Sequence, residues 1–161
     1  MNKIGLLFRE LHRSERGLAQ ELLRVSERHV ADHEIHHIGR DLAAWSRRHL
    51  RELAEVGGSY GVHLGADPAL ESGLGSMLRE RGGRLVAHHA APGLLLLRDL
   101  REVHVRAAGV SVDWELLAQA AQALKDDTLL ALAQRCHPDT LRQMRWANAH
   151  LKQLSPQILA G

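Results

Sequence analysis

The sequence predicts an all-α protein, a bundle of four helices, and three observations carry that reading. Aromatic side chains make up only 3% of the 161 residues while leucine and alanine abound, a composition that favours helix over sheet. Apolar residues return at steps of three and four in four separate segments. Between the second and third of these lies a glycine-punctuated stretch long enough to run from one end of a bundle to the other. The expected topology is therefore two antiparallel helical hairpins joined by one long crossover, within a single domain over 1–161.

The first helix is expected over about 3–28, where Ile4, Leu7, Leu11, Leu18, Leu22 and Val25 form one face and Arg9, Arg13, Arg16, Gln20 and Arg24 fall between them. The second is expected over about 34–56, capped by Asp32, with Ile35, Ile38, Leu42, Trp45, Leu53 and Val56 on its apolar face. One unbroken helix from Ile4 to Val56 would be about 80 Å long, too long for a lone domain of this size, so a tight turn is placed near residues 29–34. The crossover, 57–91, carries Gly57-Gly58-Ser59, Gly61, Gly65, Asp67-Pro68 and Gly82-Gly83, with a short helix from Ala69 to Arg81.

The third helix, about 92–125, opens at Pro92, a natural first-turn residue. Its stripe reads Leu96, Leu100, Val103, Ala107, Val110, Trp114, Leu117, Ala121 and Leu124. Lys125-Asp126-Asp127 marks a turn. The fourth helix, about 127–155, carries Leu130, Ala133, Leu141, Met144, Ala147, Leu151 and Leu154, with a kink expected near Pro138 and an end at Ser155-Pro156.

Composition narrows the function classes. Hydrophobic residues at 45% with charged residues at 25% describe a folded chain, and a net charge of +2 gives no electrostatic footprint for nucleic acid. Met1 to Phe8 runs into Arg9 and Glu10 without a signal-like apolar core, and the longest apolar stretch, Pro92 to Leu97, falls far short of the roughly 20 residues that span a bilayer. No membrane association and a cytoplasmic location are expected. Cys136, the lone cysteine, reads as a small core hydrophobe in a reducing compartment. A phosphate-binding glycine loop, a Gly-x-Ser-x-Gly elbow and a Cys-x-x-Cys pair are all missing. Arg47, Arg48 and Arg51 are followed by Glu52 and Glu55, as on a solvated face.

The chemistry-bearing residues are polar ones set where the helical pattern asks for apolar ones. Phe8, Glu15 and Leu22 recur at seven-residue steps beside Leu11 and Leu18, which turns Glu15 inward. His49 interrupts the stripe between Trp45 and Leu53. Both residues are equidistant in sequence from residue 32, so they should meet inside the first hairpin, either as a hydrogen-bonded pair or through a shared metal ion. Glu102 and His104 flank the third stripe as secondary candidates, and His137 lies beside Pro138 as a core or kink histidine. His29, His33 and His37, with His36 among them, stand at helical spacing for a transition metal, but a turn at 29–34 breaks that face and leaves a polar, pH-responsive end. DHEIHH has the wrong spacing for a His-Glu-x-x-His zinc site, and His88-His89 reads as crossover surface.

The long crossover and the segments LFRELHRSERGLAQEL, DLAAWSRRHLRELAEV, LLAQAAQALKDD and LKQLSPQIL resemble the small bacterial ferritin-like bundle proteins associated with stress responses. The resemblance implies a ferritin-like fold and, in that family, a Glu on the first helix, Glu-x-x-His on the second, Glu on the third and Glu-x-x-His on the fourth, holding two irons. By register the first-helix ligand matches Glu15 and the second-helix histidine matches His49. The remaining positions depart, with Ser46 at the second-helix carboxylate, Val110 on the third helix, and Thr140 and Gln143 on the fourth. Too few carboxylates remain to balance two irons, so the di-iron site is expected to be degenerate.

The expectation is a non-catalytic binding or protein-interaction module with no cofactor, associating with itself, most simply as a dimer, and with Trp45, Trp114 and Trp146 as core or interface residues. The alternative is a metal-binding ferritin-like oxidoreductase with iron or another transition metal in a reduced site around Glu15 and His49.

Overall fold

The computed structural model describes residues 2–65 and 91–161. Among them are four α-helices, α1 (Lys3–Arg28), α2 (His33–Gly57), α3 (Pro92–Leu124) and α4 (Asp127–Ala160), and a short 3-10 turn at Gly58–Tyr60 after α2. No strand is present among the described residues. The short helix expected over Ala69–Arg81, the Gly73-Leu74-Gly75 and Gly82-Gly83 turns, and His88-His89 lie outside the described residues. No helix among the described residues is long and apolar enough to cross a membrane.

The helix ends follow from local chemistry. Asn2 caps α1 by accepting from the Gly5 amide at 2.8 Å, and its own side-chain amide donates to the Tyr60 carbonyl at 2.8 Å. α1 stops at Arg28, the chain turns over 29–32, and Asp32 restarts the helix by accepting from the Ile35 amide at 3.1 Å. Between α3 and α4, Lys125 adopts the left-handed conformation (φ 54°), and Asp126 caps α4 through the Leu129 amide at 3.0 Å. The Tyr60 hydroxyl donates to the same Asp126 at 2.7 Å, joining the end of α2 to the start of α4.

α4 differs from the sequence expectation in two respects. It runs to Ala160, beyond the expected stop at 155, and is helical through both Pro138 and Pro156. Each proline sits on the exposed side, as do Gln134 and Lys152 four residues earlier, so the carbonyls that lose an N–H partner lie toward water. The side chain of Ile158 also lies against Gly93 at the start of α3, which gives the extra turn something to pack on.

The second difference is rotational. The buried face of α4 reads Leu129, Leu132, Ala133, Cys136, Asp139, Thr140, Gln143, Ala147 and His150, whereas Leu130, Leu141, Met144, Leu151 and Leu154 of the expected stripe are only partly buried. The apolar pattern misplaces the inner face because α4 turns polar side chains inward.

α1 packs against α2 and α3, and α4 packs against the same two. The α1–α2 contacts pair Asn2 with Tyr60, Glu15 with His49, and Ser26 with His36. α1 meets α3 at Ser14–Asp113, Glu15–Trp114 and Arg28–Asp99, while α2 meets α4 at Glu52–Arg135, His49–Asp139, Ser46–Gln143 and Glu34–His150. Phe8, Leu11, Leu18, Leu22, Leu53, Leu100, Trp114, Leu117, Leu129 and Leu132 fill one continuous core among the helices. The expected α3 stripe is buried from Leu96 to Ala121, and Leu124 alone of it is exposed.

At Gly39 the backbone of α2 lies close against α1. A Cβ built there would lie 3.2 Å from Ser26 Cβ and 3.5 Å from the Leu22 carbonyl oxygen. Gly39→Leu is expected to cost about 1–3 kcal/mol of unfolding free energy through overpacking, read by urea denaturation. Unchanged stability would show that the two backbones do not approach this closely.

Candidate functional site

The polar residues that interrupt the helical stripes meet near the middle of the bundle. Glu15 of α1 is fully buried, as is His49 of α2, and His49 Nδ1 donates to Glu15 Oε1 at 2.7 Å. The same oxygen accepts from the Trp114 indole Nε1 of α3 at 2.8 Å. The other imidazole nitrogen, His49 Nε2, reaches Asp139 Oδ2 of α4 at 3.2 Å. Arg48 and Arg142, both partly in solvent, close the far end on the two Asp139 oxygens at 2.5 and 2.8 Å. One hydrogen-bonded chain therefore touches all four helices.

Charge follows geometry here. Burial works to lower the His49 pKa, but hydrogen bonds and charge from Glu15 first, and from Asp139 second, outweigh it and raise the pKa above its ordinary value. Burial likewise works to raise the Asp139 pKa, yet the hydrogen bonds from His49 and Arg48 hold it below the usual carboxylate range. A carboxyl oxygen at each ring nitrogen favours the imidazolium form of His49.

The neighbouring groups are inert or partly orphaned. Gln143 donates to the Leu42 carbonyl at 2.8 Å and to the Ser46 hydroxyl at 2.9 Å. Glu15 Oε2, Thr140 Oγ1 and Gln143 Oε1 are buried with no hydrogen-bond partner among the described residues. Burial, above all, pushes the Cys136 thiol pKa far upward, so it carries no reactive thiolate at neutral pH.

The other sequence candidates fall elsewhere. His29 closes α1 and pairs through Nε2 with the buried Asp99 at 2.8 Å, which Arg28 also holds through both oxygens at 2.9 Å. His33 and His37 stack on α2 with ring centroids 4.2 Å apart, and His36 donates from Nδ1 to the Ser26 carbonyl at 2.9 Å, so the three-histidine face of His29, His33 and His37 is divided by the turn. His104 donates to the Met144 carbonyl at 3.3 Å, and Glu102 pairs with Arg106 at 2.9 Å. His137 bonds the Ser111 hydroxyl at 2.8 Å. Trp114 is fully buried, and Trp45 and Trp146 are partly buried.

Two carried-over positions shift. The α3 residue that reaches Glu15 is Trp114, one helical turn beyond Val110, and the α4 residue that reaches His49 is Asp139, beside Thr140. Asp139 was missed because an acid next to Pro138 reads as surface, although it completes the row Leu132, Cys136, Asp139, Gln143 at steps of three and four. Buried Asp99 and Glu21 escape because each stands beside a buried leucine, Leu100 and Leu22, on the flank of a stripe that apolar residues already fill. Glu21 is paired with Arg24, and burial raises its pKa against the pull of Arg24 and Arg106.

Among the described residues no group of three or more His, Cys, Asp or Glu side chains is arranged to hold a metal ion. Comparison with family models, with curated proteins and with solved structures gives no match to this chain.

His49→Gln removes the cation between two carboxylates and is expected to cost about 3–5 kcal/mol at pH 6. The raised His49 pKa makes its ionic contribution complete below about pH 6.5, the ordinary histidine value, and makes it fade as pH rises through the higher folded-state value. The gap between native and His49→Gln stabilities, measured by denaturant unfolding from pH 5.5 upward, should therefore narrow with pH. A gap that widens with pH would contradict the charge assignment.

Proposed function

We propose that the chain is a ferritin-like bundle of two antiparallel hairpins whose interior has become a hydrogen-bonded polar chain, and that it works without catalysis as a binding or protein-interaction module. Support for the topology comes from the contact ladder. Along every packed helix pair, higher positions on one helix meet lower positions on the other, as in Glu15–His49 beside Ser26–His36, and Ser14–Asp113 beside Arg28–Asp99. With α2 and α3 both opposed to α1, α2 ends and α3 begins at opposite ends of the bundle, as a ferritin-like connection requires.

The observation that carries the functional reading is the pairing of His49 with a carboxyl oxygen at each ring nitrogen. Each of its ring nitrogens is spent on a carboxylate, and a protonated imidazole has no lone pair to offer a metal. Trp114 brings a donor-only indole to the one oxygen of Glu15 that is engaged, and Asp139 is held by two arginines. This donor set does not fit a pair of irons, which need several free carboxylates for charge balance.

A second reading, a single metal ion bound near Glu15, draws on the unpartnered Glu15 Oε2, Thr140 Oγ1 and Gln143 Oε1. It requires His49 to lose a proton and leave one carboxylate. Elemental analysis of untagged protein separates the two readings. The polar-chain reading expects less than stoichiometric metal in both the native chain and Glu15→Ala, whereas one metal per chain that disappears in Glu15→Ala would establish the metal site instead.

A further inference from the structure

α3 carries apolar residues on two sides. Its inner row is buried against α1 and α4, yet Leu94 (49% exposed), Val105 (49%), Val112 (58%) and Leu116 (53%) face outward on the same helix. At about 100° per residue these four fall within about 40° of one another; exposed Arg98 and Arg101 share that face and separate Leu94 from the rest, so the apolar seam runs from Val105 to Leu116. Gly109 lies on that seam in the interior of the 33-residue helix. A glycine there costs roughly 1 kcal/mol of helix stability relative to alanine, and nothing among the described residues requires it, because a Cβ added at Gly109 would meet none of their atoms within 4 Å. A missing side chain on an exposed face, with no neighbour among the described residues, is what a close approach by a second chain would need.

We infer that the outward seam of α3 binds the same seam of a second copy of this chain, antiparallel, across a two-fold axis between Gly109 and Val112. The seam is complementary to itself in both shape and charge. In antiparallel register Val105 lies opposite the partner's Leu116, and Gly109 opposite the partner's Val112, so each small residue faces a larger one and the two-fold repeats the match. On one flank Arg106 comes opposite the partner's Asp113, again twice. Arg106 is partly exposed, 2.9 Å from Glu102 and 3.8 Å from Glu21 of α1, and Asp113 accepts from Ser14 of α1 at 2.6 Å, so both stand on the flank of α3 that meets α1, beside the seam. Glu115, on the other flank, faces the partner's Ala108, so this register opposes no like charges. The inference concerns the outer face of α3 and does not depend on how the interior around His49 is read.

Sedimentation velocity of the full chain over a wide concentration range tests it. The native chain should sediment as a dimer of the 17.9 kDa subunit. Leu116→Glu and Gly109→Leu should each sediment as a monomer with unchanged helical circular dichroism. Arg106→Asp and Asp113→Arg should each weaken the dimer, while an equimolar mixture of the two restores it, because both cross-axis pairs are then attractive. A native chain that stays monomeric at every concentration overturns the proposal. So does a dimer that survives Leu116→Glu and Gly109→Leu with the fold intact. If either of those variants loses helix, the charge-exchange mixture decides, and its failure to form a heterodimer overturns the pairing.

Discussion

The run from Glu15 through His49 to Asp139, with the Trp114 indole on Glu15, is the constraint on which the rest of the bundle depends. An unpaired carboxylate or imidazolium in a dry interior is costly, and each of these groups is tolerable only because its neighbours stand where they do. Since the four residues come from four helices, satisfying them fixes the height of every helix against the others. A slip of one turn in any helix would strand a buried charge. An all-leucine core could absorb the same slip by repacking.

The other buried acids strengthen one seam of the structure. Asp99 takes Arg28 and His29 together, and Glu21 takes Arg24 with Arg106 nearby, so the α1–α3 contact is held by charge at its far end as well as by Glu15 and Trp114 at its centre. Burial works to raise the Asp99 pKa, but His29 and Arg28 outweigh it and hold it low. The apolar residues then fill the space these ties define. The histidines near the α1–α2 turn belong to that framework too, with His29 on Asp99 and His36 on Ser26, which is why they do not gather into a ligand set.

Much of this was legible in the sequence because it follows from periodicity. The helix starts at Asp32, Pro92 and Asp126, the buried row of α3, and the meeting of Glu15 with His49 all follow from spacing, caps and the position of the turn. What escaped lies outside what the periodicity of one helix can report. Hydrophobic patterning finds a core made of hydrocarbon, and α4 presents Asp139, Thr140, Gln143 and His150 inward, so its apolar stripe points to the flank. Trp114 falls on the apolar row of the third helix, but the sequence leaves it open between core and interface, and its role as a donor to Glu15 depends on a register between α1 and α3 that no single-helix pattern contains. The end of α4 escaped because Pro156 is a stop signal only where its freed carbonyl partner would be buried, and here that side is exposed.

The central claim is that His49 is an imidazolium with both ring nitrogens donating. Nitrogen-15 NMR of the histidine side chains at pH 7, with His49 assigned by its loss in His49→Gln, measures this directly. Two protonated ring nitrogens for His49 at pH 7, above the ordinary histidine value, are the result the account predicts. A neutral His49 at pH 7 with a lone pair on one ring nitrogen would contradict it and return that nitrogen to the role of a ligand.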